Sequence, residues 1–335
     1  MHTESGSESP VLSIAIPTYN RARFLDRLLS ALDDQLRLQP GVELIVSDNA
    51  SPDETPQIVS KFQSQGLRIR YLRNELNLGA DGNILQCYEQ AKGKYVWVFG
   101  DDDVPEPGSI AQVLSHLQGQ EYDLIYVASS AFTESYTPRR QNGSRGFTVI
   151  NRADSLACHV NIFFTFISGN IVNKERVSSL AHPPFAELVG TNLVQLGWIY
   201  TALDHHRRSL VLHDQLVATL TDNTGGYALF RVFGPNLRGI TDGWLRSPRT
   251  RRPILNGALQ RFFPPFLLSQ KASRGTFVGE DPHKTLEPVF GGNFRYWVFD
   301  YPILRMPRRM GRVWILFLRV VNRLDRLLGS PLLRF

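Results

Sequence analysis

The chain has 335 residues, of which 42% are hydrophobic and 20% charged, with a formal net charge of +6 and two cysteines. That length carries a full core in one large or two smaller domains. Two distant cysteines, Cys87 and Cys158, exclude a disulfide framework or a zinc-finger spacing and fit a reducing compartment. From Ile303 to Phe335 eight arginines stand against one acid, a local +7 that leaves −1 for residues 1–302, so the high pI implies no nucleic-acid surface on the body. Residues 1–9 are polar and acidic, lack the apolar centre of a signal peptide, and are expected to be disordered. No apolar run reaches the length of a membrane span.

The first 128 residues alternate strand and helix signals. Val11–Ile16 reads as a strand, and Arg21–Gln35 as a helix with Phe24, Leu25, Leu28, Leu29 and Leu32 at helical spacing. Val42–Val46, Leu67–Leu72, Tyr95–Phe99 and Tyr122–Ala128 read as further strands, with helices at Glu54–Gln65, Asp81–Ala91 and Glu106–Leu117 between them. Strands alternating with helices of this length imply right-handed crossovers and a mostly parallel, doubly wound sheet. Phe132–Phe147 is polar and reads as a loop. Asp154–Asn173 is apolar, Leu188–Leu203 reads as a buried helix, Ser209–Leu220 as one or two strands and Thr221–Gly226 as a turn. Residues 228–300 are a mixture rich in Gly, Pro and aromatic residues.

Each of the first four strands ends in small or polar residues. These are Pro17-Thr18-Tyr19-Asn20, Ser47-Asp48-Asn49-Ala50-Ser51-Pro52-Asp53, the stretch Asn74–Asn83, and Gly100-Asp101-Asp102-Asp103. One such cluster is an ordinary turn, and one aspartate is enough to start the helix that follows. Three adjacent carboxylates at the mouth of a buried strand repel one another unless a cation is present. A hard divalent ion with oxygen ligands suits them, and Mg²⁺ or Mn²⁺ held by carboxylates and substrate phosphates implies a diphosphate substrate. In open α/β sheets ligands bind beyond the carboxyl ends of the strands, where all four clusters fall.

The set Ile14–Asn20, Val46–Asp53, Asn77-Leu78-Gly79 and Gly100–Asp103 resembles the inverting family 2 glycosyltransferases of the GT-A fold, strongly over residues 10–130. Within that family the combination with Ala80-Asp81-Gly82-Asn83 and Gly225-Gly226-Tyr227 is similar to the O-antigen sugar transferases that include abequosyltransferases. The resemblance implies a Rossmann-like α/β domain with helices on both faces of a mostly parallel sheet. Residues 10–130 would be its nucleotide-sugar half, 131–227 the acceptor half, 228–302 an extension and 303–335 a terminal amphipathic helix. Pro17, Thr18, Tyr19 and Asn20 would wall the base and ribose, Arg23 would approach the diphosphate, and Asp48, with Asn49 beside it, would bond the base of a favoured pyrimidine nucleotide. Asn77, Gly79 and Asn83 would shape the pocket floor. Asp101 would lie near the ribose, Asp102 would touch the donor sugar or the ion, and Asp103 with Asp101 would hold Mn²⁺ or Mg²⁺. The family's Glu-Asp pair, which supplies the base, has no counterpart in Glu187–Asn192. Glu187 is the first candidate base, Asp204 the second, followed by His205 and His206.

The expected activity is transfer of a sugar, possibly a dideoxyhexose carried on CDP, to a hydroxyl of a lipid-linked oligosaccharide in bacterial surface polysaccharide synthesis. A non-catalytic sugar-nucleotide-binding or scaffold protein is the alternative. A nucleotidyltransferase would place glycines after the first strand, and a dinucleotide dehydrogenase a Gly-x-Gly-x-x-Gly; neither is present. In the tail, Val313, Phe317, Val320, Val321, Leu324, Leu327 and Leu328 form one apolar stripe flanked by Arg312, Arg319, Arg323 and Arg326. That composition suits an interfacial anchor on an anionic membrane. The resulting expectation is a cytoplasmic enzyme peripherally bound to the inner face of the membrane.

Overall fold

β1 (Leu12–Thr18) is buried on both faces, as its largely apolar sequence favours, with Ser13 buried among the apolar residues. In the computed structural model of the protein it lies within a nine-stranded sheet. The structure describes residues 9–133, 135–138, 144–221, 226–271 and 280–328, with side chains described as far as 320. The expected disorder of residues 1–8, Gly225, most of the Thr221–Gly226 turn and parts of the Phe132–Phe147 loop lie outside these.

The chain forms two units. The first comprises residues 1–152, 164–190 and 194–223. After β1 come α1 (Ala22–Leu36), β2 (Val42–Asp48), α2 (Thr55–Ser64), β3 (Ile69–Arg73), α3 (Gly79–Gln90) and β4 (Tyr95–Val98). The short β5 (Val104–Pro105), α4 (Ser109–Leu117), β6 (Leu124–Phe132) and β7 (Phe147–Ile150) follow. α1 turns Leu25, Leu28, Leu29, Leu32 and Leu36 onto the sheet, where they join Ile14, Ile16, Leu44, Val46 and Trp97 in one core.

Past α5 (Ala153–Val160) the chain returns to the sheet as β8 (Asn170–Asn173), α6 (Lys174–Ser178), α7 (Leu196–Asp204) and the twelve-residue β9 (Ser209–Leu220). Strand order is β3-β2-β1-β4-β8-β6-β9-β5, with β7 also on β9. β1 to β4 pair in parallel, as expected. β8 then enters antiparallel between β4 and β6, so β6 does not continue the simple alternation. The helix expected over Leu188–Leu203 begins only at Leu196. Gly190 (φ 93) and Asn192 (φ 60) take left-handed backbone, and the N–H groups of Gly190 and Val194 bond the Asp81 carboxylate (2.8 and 3.3 Å) rather than a helical turn.

The second unit comprises residues 153–163, 191–193 and 224–335. Over 228–300, where the sequence reads as a mixture, its described part is almost wholly helical: α8 (Leu229–Arg231), α9 (Leu237–Trp244), α10 (Pro248–Gly257), α11 (Phe263–Gln270) and α12 (Pro282–Phe290), followed by α13 (Tyr301–Arg305) and the terminal helix α14 (Arg308–Leu328). Three π turns, Val232–Asn236, Ala258–Phe262 and Tyr296–Asp300, are set into these helices. Each contains a proline or lies within three residues of one: Pro235, Pro264 and Pro302. A proline has no N–H for the regular i−4 bond, and a wider turn makes room for its ring.

α14 docks through Gly311, Ile315 and Leu318, at i, i+4 and i+7, against α11 and α13. A Cβ on Gly311 would come 3.1 Å from Leu268, so the helix packs close there. Met310, Val313, Leu316, Phe317 and Val320 face outward at 53–67% exposure. The outward set therefore includes Val313, Phe317 and Val320 of the expected stripe. Val321, Leu324, Leu327 and Leu328, with Arg323 and Arg326, lie where side chains are not described.

Candidate active site

In-register pairing levels the carboxyl ends of the parallel strands. Thr18 stands opposite Asp48, and Ala15 opposite Val98 with its carbonyl accepting the Phe99 N–H (2.9 Å). The turns leaving β1, β2 and β4 therefore open on one edge, and α3 starts beside them.

The walls are fixed by side chains bonded to backbone. Asn20 is left-handed (φ 55), a conformation Asn tolerates, and its N–H donates to Ser51 Oγ (2.9 Å). Asp53 accepts from the Ala22 N–H (2.8 Å) and from the Thr55 hydroxyl (2.6 Å) and N–H (3.1 Å), so one carboxylate starts both α1 and α2. Burial works to raise that acid, but these donors outweigh it and hold Asp53 below the usual carboxylate range.

Asp48 is fully buried; it accepts from the Tyr71 hydroxyl (2.5 Å) and the Ser51 N–H (2.9 Å) and pairs with Arg73 (3.5 Å). Asn49 accepts from the Leu78 N–H (2.8 Å) and Asn74 (3.0 Å) and donates to Asn77 Oδ1 (2.7 Å) and the Gly79 carbonyl (3.1 Å). It thereby shapes the turn in which Gly79 takes φ 75. Asn83 is buried, accepting from Ser47 Oγ (2.6 Å) and donating to the Ser47 carbonyl (2.9 Å). Pro17 is half-buried, Thr18 buried and Tyr19 44% exposed at the rim.

Asp101 and Asp103 are 5% and 3% exposed. Asp101 accepts from Thr18 Oγ1 (2.8 Å) and Arg21 Nη1 (3.0 Å), and the same guanidinium lies 3.3 Å from Asp102. Burial, reinforced by Asp102, lifts Asp101 to about 6 against the pull of Arg21. Burial and the neighbouring Asp102 and Asp101 push Asp103 well above the usual carboxylate range, with Ser168 drawing it back. Burial pulls Arg21 down, yet Asp101 and Asp102 reverse this and leave it above its ordinary value.

Two buried acids held above their normal range, with hard oxygen donors, fit a divalent cation, which favours their ionised forms. Among the described residues no three His, Cys, Asp or Glu side chains converge as a metal cage. An ion here would draw further ligands from substrate and water.

Arg23 is exposed and has no ion pair or hydrogen bond among the described residues. The arginines at the triplet are instead Arg21 and Arg27, which donates to the Asp102 carbonyl (2.7 Å); Phe24 lies under both guanidinium groups, at 5.6 and 5.4 Å. Their spacing of six residues around Phe24 was the available signal, since it places all three on one side of α1.

Ser168 was also missed. Its hydroxyl accepts from the Gly100 N–H (2.8 Å) and its carbonyl from Trp97 Nε1 (2.8 Å), but nothing in its own sequence neighbourhood marks it. Asp81 (4% exposed), read only as part of a motif, anchors the 190–194 turn.

Glu187 is exposed on the short 3₁₀ segment Phe185–Leu188, just before that turn. Asp204 is not brought to the triplet. Ser209 pairs with Leu124, Leu124 with Val172 and Val172 with Val96, so the end of α7 lies level with the start of β4, at the opposite edge from Asp101. His205 and His206 share that place.

A mixed α/β sheet with an acidic triplet and polar turns at its carboxyl edge is the architecture of the GT-A fold. Residues 13–175 match the model of glycosyl transferase family 2. The chain is 31% identical over 196 residues to the abequosyltransferase RfbV of Salmonella typhimurium, covering 54% of this chain and 58% of that protein. It is 32% identical over 106 residues to the GalNAc(5)-diNAcBac-PP-undecaprenol beta-1,3-glucosyltransferase of Campylobacter jejuni, covering 31% and 34%. These matches span less than two thirds of either relative. Among solved structures, residues 1–349 of S. aureus TarS share the fold at a TM-score of 0.60 and 18% identity, covering 95% of this chain and 92% of that one.

Proposed function

We propose that the protein is a metal-dependent inverting glycosyltransferase that moves a sugar from a pyrimidine nucleotide diphosphate to a lipid-linked oligosaccharide. The observation that carries this reading is the buried pair Asp101 and Asp103, held in acid-raising surroundings at the same edge as Asp48 and Asn49. Asp48 would accept from the base. Its other partners, Tyr71 and Ser51, fix the carboxylate in place. Pro17, Thr18, Tyr19 and Asn20 would flank base and ribose, while Asn77, Gly79 and Asn83 would form the floor. Arg21 would stand beside the diphosphate in the role the sequence assigned to Arg23.

Asp101 and Asp103 would hold Mn²⁺ or Mg²⁺. When bound, the ion stabilises negative charge on the departing diphosphate as a Lewis acid. Asp102, half-exposed, would face the donor sugar, and Glu187 would accept the acceptor hydroxyl's proton. The name of the RfbV relative supports a dideoxyhexose donor, and that of the Campylobacter enzyme supports an acceptor on a polyprenyl diphosphate.

Among the described residues no helix is long and apolar enough to cross a membrane. The outward apolar face of α14, with Arg308, Arg309, Arg312 and Arg319 exposed on the same helix, supports peripheral binding to an anionic inner-membrane surface. Each arginine near such a surface adds about 1 kcal/mol.

Calorimetric titration of CDP, UDP, GDP and dTDP, with and without Mn²⁺, on wild type and Asp103→Asn tests the donor site. One pyrimidine diphosphate should bind, dependent on both metal and Asp103. Absence of metal-dependent binding of any diphosphate overturns the proposal.

A further inference from the structure

The second unit holds a cavity of about 520 Å³ lined by Arg238, Arg252, Arg295, Asn256, Asn293 and Gly292, among others. A smaller one of about 290 Å³ shares Arg238, Arg252, Asn256 and Asn293 with it and adds Arg251 and Asp242. Four guanidinium groups therefore line this space with one carboxylate. Asp242 is engaged by Arg238 Nε and lies 3.6 Å from Arg251 Nη1. Arg252 is exposed and has no ion pair or hydrogen bond among the described residues. Arg295 is only 5% exposed, and burial pushes its guanidinium below the ordinary value.

The wall is built rather than incidental. Asn293 donates to Asn256 Oδ1 (2.9 Å) and accepts from the Arg295 N–H (3.1 Å), joining α10 to the turn after α12. In that turn a Cβ on Gly291 would come 2.6 Å from the Glu287 carbonyl, while one on Gly292 would meet nothing within 4 Å. The turn is thus tight on its helix side and open on its cavity side.

We infer that this cavity is a diphosphate-binding site. The excess of three positive charges exceeds what a carboxylate or a single phosphate balances, and guanidinium forks match phosphoryl oxygens in pairs. The volume lies within the usual range for a ligand pocket. An anion beside Arg295 favours its charged form, which burial alone disfavours. Val289 and the 54% exposed Phe294 give the same cavity an apolar side, suited to a chain attached to the diphosphate. The diphosphate chemistry stands on the cavity itself. Its source in a lipid-linked acceptor rests on the transferase reading above.

The test is calorimetric titration of inorganic pyrophosphate into the full chain in EDTA, which silences metal-dependent binding at the donor site. Wild type should bind. Arg252→Gln and Arg238→Gln should each weaken binding about tenfold or more with thermal unfolding unchanged, and Asp103→Asn should bind as wild type does. Farnesyl diphosphate then separates the sources: binding about tenfold tighter than pyrophosphate assigns the site to a lipid carrier, and equal binding assigns it to free pyrophosphate. No binding by wild type, or binding indifferent to both arginine variants, overturns the inference. Metal-dependent nucleotide binding, measured on the same protein, reports separately on the transferase reading.

Discussion

Replacing Asp101 by Asn should stabilise the protein while disabling it. Burial lifts the Asp101 acid from 3.8 to about 6. At 1.36 kcal/mol per pKa unit, keeping this group ionised in the folded state costs about 3 kcal/mol at neutral pH. The unfolded chain releases this proton at lower pH than the folded one does. Stability therefore falls as pH rises through the window between the two values and is fully reduced above about pH 6. That cost is already net of the attraction to Arg21, which works to lower the acid. Asn removes it, so the gain is about 3 kcal/mol near pH 7.5, shrinking to nothing below about pH 4. Urea unfolding followed by tryptophan fluorescence at the two pH values measures it, and sugar transfer should fall by about 100-fold or more. Equal destabilisation of Asp101→Asn at both pH values would refute the electrostatic account.

Ser168→Ala removes the hydroxyl that draws the Asp103 acid down, so the acid limb of the pH–rate profile should move to higher pH; an unmoved limb argues against Asp103 acting as an ionised group. Asp81→Ala frees the N–H groups of Gly190 and Val194, and hydrogen exchange there should accelerate about tenfold or more while the β1 amides stay protected. Exchange rising uniformly would point to global loosening instead. Ending the chain at Pro307 should abolish co-sedimentation with vesicles containing anionic lipid, and full retention would remove α14 from the membrane reading.

The parallel half of the sheet was legible because its cues are local. The apolar runs of β1, β2 and β4 end in polar turns, and in-register parallel pairing brings those turns to one edge whatever follows later in the chain. The shared edge of Asp48, Asn49 and Asp101–Asp103 follows from that rule, while the roles expected of them come from the family resemblance. Arg21 was overlooked in favour of Arg23 because choosing between them requires the phase of α1 relative to β4, which one helix does not reveal. Ser168 reaches Gly100 from 68 positions away, through a strand that enters the sheet antiparallel, and no periodicity announces such a contact. Asp204, the second candidate base, lies by sheet register at the edge opposite Asp101, which its own sequence neighbourhood does not reveal. In the second unit the terminal amphipathic helix was legible, but the helices between 228 and 300 were not, because their apolar residues do not keep one period of 3.6.

The π turns explain that failure and have a consequence of their own. Each carries one residue more than a regular turn would, so every side chain beyond it is rotated by about 100° in helical phase. Past the first, Leu237, Ile240 and Thr241 are the buried positions of α9. Excising a single residue between Val232 and Asn236 would restore an ordinary helix and swing these three away from the interior, while deleting one in an exposed loop would shift nothing. A one-residue change of length at any of these three turns therefore carries with it the repacking of every side chain downstream on the same helix.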